Sequence, residues 1–184
     1  MGTPGETRFR TFNPRRNLPA ASGRKRGEAN FLGAFIRALL QDGPIPIVHG
    51  RQFAVPNCGI ADFVAVYSPV GPSNRPSSPV VELLAVEAKL VCWKRALHQA
   101  FRYRQYAHRS VVLVPPKVAE KAVVYTTVFN HLGIALWSFE KSSRTIRKPI
   151  LPPLLPAMNS KRLRQALSRL GFDATDLGHF SELP

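Results

Sequence analysis

Val80-Val81-Glu82-Leu83-Leu84-Ala85-Val86-Glu87-Ala88-Lys89-Leu90 is the stretch on which the reading of this chain turns. Val81, Leu83 and Ala85 alternate with Leu84, Val86 and Ala88, so both sets of positions are apolar. Successive side chains of a strand point to opposite faces. A strand apolar on both faces is covered on both, which predicts a central strand in a layered α/β protein. Glu87 and Lys89 lie two residues apart and share a face near the end of this strand. Charges buried there are costly unless they are paired or hold a metal ion.

Upstream, Ile60-Ala61-Asp62-Phe63-Val64-Ala65-Val66 carries Asp62 as its only charge. It predicts a second strand, Ile60 to Tyr67. The turn signal Pro56-Asn57-Cys58-Gly59 joins it to a strand over Ile45 to Val55, bent near Gly50, as a hairpin. Before these, Phe31, Leu32, Phe35, Ile36, Leu39 and Leu40 form one apolar stripe on a helix from Glu28 to Leu40, stopped by Asp42-Gly43-Pro44. The Pro-, Ser- and Gly-rich run Ser68 to Pro79 predicts a loop.

Downstream, Trp93 to His108 predicts a helix that buries Trp93, Ala96, Leu97, Ala100 and Ala107. Val111 to Val114 predicts a short strand. Pro115-Pro116 opens a third helix, Lys117 to His131, with Gly133 as its C-terminal cap. Ile134 to Phe139 predicts a fifth strand. The order helix-strand-strand-strand-helix-strand-helix-strand implies an α/β sandwich, a mixed sheet of about five strands flanked by helices. Tyr106 and Trp137 read as core, and His98 and His108 as surface histidines.

Composition divides the 184 residues into three parts. Residues 1–26 are a basic arm, expected to be flexible, that either holds nucleic acid through its phosphates or is a solvated leader. Residues 27–140 are the core. Residues 141–184 are a basic, Pro-rich linker and a helix from about Lys161 to Leu170, capped by Asn159 or Ser160. That helix offers either a second nucleic-acid contact or an oligomer contact. The formal net charge of +15 favours polyanionic partners. Cys58 and Cys92 lack disulfide-framework and zinc-site spacing and read as reduced thiols. With no membrane-length apolar run and no secretory segment, the expected location is cytoplasmic, nucleoid-associated in a bacterium, with no membrane partner.

If the Asp62 strand pairs antiparallel with the Glu87 strand, the two carboxylates come together. They repel, and one tends to keep its proton. A hard divalent cation removes the conflict: Mg²⁺ takes one or two carboxylates, waters and phosphate oxygens, with Mn²⁺ as a substitute. The backbone carbonyl of Ala88 is a further candidate ligand. Such a cation polarises a phosphoryl oxygen and acidifies a bound water. Lys89 would position that water or stabilise charge on the phosphate. The competing reading of Asp62, Glu87 and Lys89 is a structural ion-pair network at a sheet end.

Gly59-Ile60-Ala61-Asp62 followed by Val86-Glu87-Ala88-Lys89 resembles the paired motif of the PD-(D/E)xK nuclease superfamily, although Ala61 stands where the motif's Pro would be. Trp93, Ala96-Leu97-His98-Gln99-Ala100 and Tyr103, then Val112-Leu113-Val114-Pro115 and Gly133-Ile134-Ala135-Leu136, extend the resemblance over about Gly27 to Phe139. It implies a restriction-endonuclease-like fold and a Mg²⁺-dependent endonuclease acting on DNA phosphodiesters. In that reading Asp62 and Glu87 hold metal with the Ala88 carbonyl, Lys89 is catalytic, and Gln99 supports the site. Glu28 either joins the metal site or is a helix N-terminal carboxylate favoured by the dipole. Lys94, Arg95, Arg102, Tyr103, Arg104 and Arg109 are the candidate nucleic-acid contacts; the alternative for the cations is a solvated face. DNA is the expected partner with RNA an open alternative, and a homodimer is open too. Two other functions compete: a nucleic-acid-binding protein with a catalytically silent nuclease fold, and a basic component of a ribonucleoprotein.

Overall fold

The structure is a computed structural model that describes residues 11–12, 23–67, 81–151 and 154–172. Residues 68–80 and 152–153, most of the N-terminal arm and the residues after 172 lie outside the described residues, and so do the expectations made for them. The elements are β1 (Thr11–Phe12), α1 (Gly23–Asp42), β2 (Val48–Val55), β3 (Gly59–Tyr67), β4 (Glu82–Ala88) and α2 (Trp93–Tyr103). Then follow β5 (Arg109–Val114), α3 (Pro116–Val123), α4 (Thr126–Leu132), β6 (Ile134–Glu140), β7 (Thr145–Ile150) and α5 (Ser160–Arg169).

The class is α/β with one mixed, open sheet in the order β1-β2-β3-β4-β5-β6-β7, of which β1 is a two-residue strand. The β2–β3, β3–β4 and β6–β7 pairs are antiparallel, while β4–β5 and β5–β6 are parallel. The central position expected for the Val80–Leu90 stretch holds. Leu84, Val86 and Ala88 pack under α1, through Phe31, Leu32, Phe35 and Leu39. Leu83 and Ala85 pack on the opposite side with Ala96, Ala100 and Tyr103 of α2, and α3, α4 and α5 join that face. The alternation of the sequence thus becomes three layers, with helices on both sides of the sheet.

Several elements differ from expectation, among them the starts of β2 at Val48 and of β5 at Arg109. Helix α1 begins at Gly23, inside the segment assigned to the arm. Helix α2 ends at Tyr103 rather than near His108, because the next residue, Arg104, turns inward: it is buried and donates to the carbonyls of Ala107, His108 and Pro156. The single third helix is two, broken at Val124–Tyr125 and ended by Gly133, whose φ of 65° suits a residue without Cβ. Beyond Glu140, where only a linker was expected, β7 adds an edge strand to the sheet. Asn159 caps α5 as expected, its side chain accepting from the Arg162 amide at 3.0 Å.

Candidate active site

The β3–β4 ladder runs from Tyr67 opposite Glu82 to Phe63 opposite Val86, and there it stops. On its other side β4 stays in register with β5 through Ala88, and the Lys89 amide still donates to the Leu113 carbonyl at 3.0 Å. The sheet therefore opens on one side of β4 while the strand stays pinned on the other. Asp62 fills the opening: its Oδ2 accepts the Ala88 amide at 3.0 Å, replacing the backbone acceptor that the ladder no longer supplies. Its Oδ1 accepts from Gln52 Nε2 at 3.3 Å.

Glu87 points to the α2 face and is buried to 1% exposure. Its Oε1 accepts from Lys89 Nζ at 2.6 Å, and its Oε2 lies 2.6 Å from the hydroxyl of Tyr103. That hydroxyl also lies 2.7 Å from the Ile60 carbonyl oxygen. One phenol has one proton to give, so an ionised Glu87 and the Ile60 carbonyl compete for it. The phenol is thus a donor shared between the two acceptors. Burial, then the neighbouring Asp62 carboxylate, push Glu87 up to about 7, against the opposing pull of Lys89 and Tyr103.

Lys89 Nζ gathers the cluster. Besides Glu87 it touches the Ala88 carbonyl at 3.0 Å, Asp62 Oδ2 at 3.7 Å and Glu28 Oε2 at 3.9 Å. Burial works to lower its pKa, but Glu87, Asp62 and Glu28 together carry it above the usual lysine value. Carboxylates from α1, β3 and β4 thus face one ammonium. When all are ionised, the cluster holds more negative than positive charge inside a strongly basic protein. Glu28 lies beyond the first turn of α1, which contains no acidic residue, so its part is the contact with Lys89 rather than the helix dipole.

Does this donor set suit a metal ion? Excess negative charge, and a carboxyl pushed up by burial and by a neighbouring carboxylate, are both relieved by a cation. One or two carboxylates are what Mg²⁺ favours. Among the described residues no group of three or more His, Cys, Asp or Glu forms a ready-made cage. The Ala88 carbonyl faces the Lys89 ammonium, so a cation at that oxygen would displace the lysine. Asp62 and Glu87 would be its carboxylate ligands, and Lys89 would have to swing aside.

The remaining candidates divide. Lys94, Arg95 and Arg102 are exposed on α2, as a nucleic-acid contact requires. Three others are not available for contact. Tyr103 is fully buried and bonded to Glu87. Arg104 is buried at 4% exposure, its guanidinium spent on three carbonyls. Arg109 pairs with Glu82 at 2.7 Å at the start of β5, while Ala88 aligns with Leu113 near that strand's other end. Gln99 sits one turn before Tyr103, with its side-chain oxygen buried and lacking a hydrogen-bond partner. His108 is not a surface histidine. Its Nδ1 accepts the Leu83 amide at 3.0 Å, and its pKa is lowered, chiefly by burial.

Gln52 was missed in the sequence. It lies across from Asp62, between the pairs Arg51–Phe63 and Phe53–Ala61, with a left-handed φ of 53°. A non-glycine residue there carries strain of about 1–3 kcal/mol. The only signal was a glutamine inside an otherwise plausible strand, which does not specify backbone conformation. Cys58 is buried and Cys92 exposed, both free. No helix among the described residues is long and apolar enough to cross a membrane. No protein-family model matches the chain, and no curated protein or solved structure is significantly similar to it.

Proposed function

We propose that the chain is a metal-dependent endonuclease of the PD-(D/E)xK type, with a restriction-endonuclease-like core, that hydrolyses DNA phosphodiester bonds. The observation that carries this reading is the convergence of Asp62, Glu87 and Lys89 where the β3–β4 ladder opens. Residues separated in sequence meet there at the cost of burying charge. A bound Mg²⁺ would supply Lewis acidity and an acidified water. Asp62 and Glu87 would hold it, joined by the Ala88 carbonyl, with Glu28 at the rim.

The chain's own groups have distinct tasks. The Ala88 amide and Gln52 fix both oxygens of Asp62, so its carboxylate is held before substrate arrives. Tyr103 fixes Oε2 of Glu87, the oxygen turned away from Lys89. Lys89 is the one cation among these carboxylates with a flexible stem, and it offsets charge that develops on the phosphate. The exposed Lys94, Arg95 and Arg102 take neighbouring phosphates.

Plasmid DNA incubated with Mg²⁺ or Mn²⁺ is expected to be nicked or linearised. Asp62→Ala, Glu87→Ala and Lys89→Ala are each expected to cut at least a hundredfold more slowly, on the order expected when a group that stabilises transition-state charge is removed. Equal cutting by wild type and all three variants would assign the activity to a contaminant. A second reading, a nucleic-acid-binding protein with a silent site, draws on the 2.6 Å contact by which Lys89 already neutralises Glu87. It predicts salt-sensitive binding and no cleavage of DNA or RNA with either metal.

A further inference from the structure

We infer that Trp93, Lys94 and Tyr125 form a stacking platform for an unpaired base of the nucleic-acid strand that passes Lys89, which makes the substrate one with single-stranded character. The inference rests on the nuclease reading for what happens at Lys89, but the platform has its own observations. The rings of Trp93 and Tyr125 lie 4.9 Å apart at 42°. Phe129, fully buried, backs Trp93 at 5.9 Å. Lys94 Nζ sits 5.8 Å from the Trp93 ring and 5.9 Å from the Tyr125 ring.

The break between α3 and α4 is what presents Tyr125. Had the helix continued as the sequence suggests, no corner would lift residues 124 and 125 away from the sheet. Instead Val124 is 77% exposed and Tyr125 43% exposed. Large apolar side chains left in solvent beside a cation offer a surface that is both apolar and electropositive.

Two arguments select the occupant. The first is charge: α2 contains Lys94, Arg95 and Arg102 and no acidic residue, so the surface beside the platform suits a polyanion. The second is shape. Aromatic faces stack on base faces, which are offered by unpaired bases and hidden inside a duplex. A polyanion with flat apolar faces is single-stranded nucleic acid. The two sites are near along the chain: the four residues from Lys89 to Trp93 hold their Cα atoms within about 14 Å. A stacked strand advances about 3.4 Å per nucleotide, so that backbone span corresponds to about four nucleotides.

The test is binding of the full chain to a short oligothymidylate in EDTA, followed by tryptophan fluorescence. Trp137 is buried, so Trp93 should report. Wild type is expected to show quenching by the single strand. Tyr125→Ala and Lys94→Ala should each weaken binding about tenfold, the scale of losing one base–aromatic stack. Tyr125→Phe should bind like wild type, and a duplex of the same length should not distinguish Tyr125→Ala from wild type. Unchanged single-strand affinity in Tyr125→Ala overturns the inference. So does a change in sedimentation without a change in DNA binding, which would make Val124 and Tyr125 a protein contact. Cleavage assays on the same proteins separate the two readings. Tyr125-dependent binding with no cleavage under Mg²⁺ or Mn²⁺ keeps the platform and removes the nuclease, and cleavage that is indifferent to Tyr125 does the reverse.

Discussion

Glu87 is where the cost of the site is concentrated. In an unfolded chain its carboxyl titrates near 4.5, and in the fold burial and Asp62 push it up to about 7. The folded protein therefore binds the extra proton between these values. Its contribution to stability is full below about pH 4.5 and is lost as pH rises through about 7. At one pKa unit per 1.36 kcal/mol, the loss is on the order of 3 kcal/mol. His108 acts with the opposite sign: its lowered pKa adds stability as pH rises through the histidine range. The Glu87 effect is thus read as a difference between proteins. Glu87→Gln should lose less stability than wild type between pH 5 and pH 8 in urea titrations; equal losses would show that Glu87 titrates as an ordinary carboxyl. Mg²⁺ should raise the melting temperature of wild type at pH 8 and leave Asp62→Ala unchanged, because a ligand stabilises only the state that binds it. Tyr103→Phe removes the donor shared by Glu87 and the Ile60 carbonyl and should cost about 1–3 kcal/mol. Asp62, Glu87 and Lys89 were legible in the sequence because a charge in an apolar strand needs a reason. Gln52 and the true place of Tyr103 were not, since neither a backbone φ nor a cross-layer hydrogen bond leaves a periodic trace.

At the level of elements, the α2–β5 corner joins the C-terminal helix to the core. Arg104 donates to the Ala107 and His108 carbonyls and across to Pro156 at 2.9 Å, and the Met158 amide returns a bond to the Arg104 carbonyl at 2.8 Å. Arg104→Met keeps much of the buried stem and removes every donor. It should destabilise the fold by about 3 kcal/mol through the unpaired carbonyls. It should also speed amide exchange across α5 more than across β4, and unaltered exchange in α5 would refute this role for the arginine. The missed strand β7 has a related explanation. Thr145-Ile146-Arg147-Lys148-Pro149-Ile150 alternates poorly because an edge strand pairs on one side only. Its lysine, arginine and proline are also the residues that blunt an edge against further pairing. Periodicity finds elements that bury a face, and β7 buries little beyond Ile150.

Over the whole molecule, a net charge of +15 surrounds a local excess of carboxylates. Long-range attraction would draw a nucleic acid in, and the acidic cluster would favour a cation beneath it. The cations divide by burial into those that can meet phosphates and those that cannot. Lys94→Ala, Arg95→Ala and Arg102→Ala should each reduce the salt dependence of DNA binding by about one in the slope of log K against log salt. Arg109→Ala should leave that slope alone, because Arg109 is paired with Glu82; a reduction of the same size there would show that the pair opens to reach DNA. The sequence by itself determined the α/β class, the buried two-faced strand and the identities of Asp62, Glu87 and Lys89, because these follow from local alternation and from the cost of charge in apolar surroundings. Only the tertiary structure decided that the β3–β4 ladder opens at Phe63, that Glu28 and Gln52 join the cluster, and that Tyr103 and Arg104 turn inward while Tyr125 turns out. Each depends on which elements lie side by side, and side chains from distant segments share no pattern along the chain until packing brings them together.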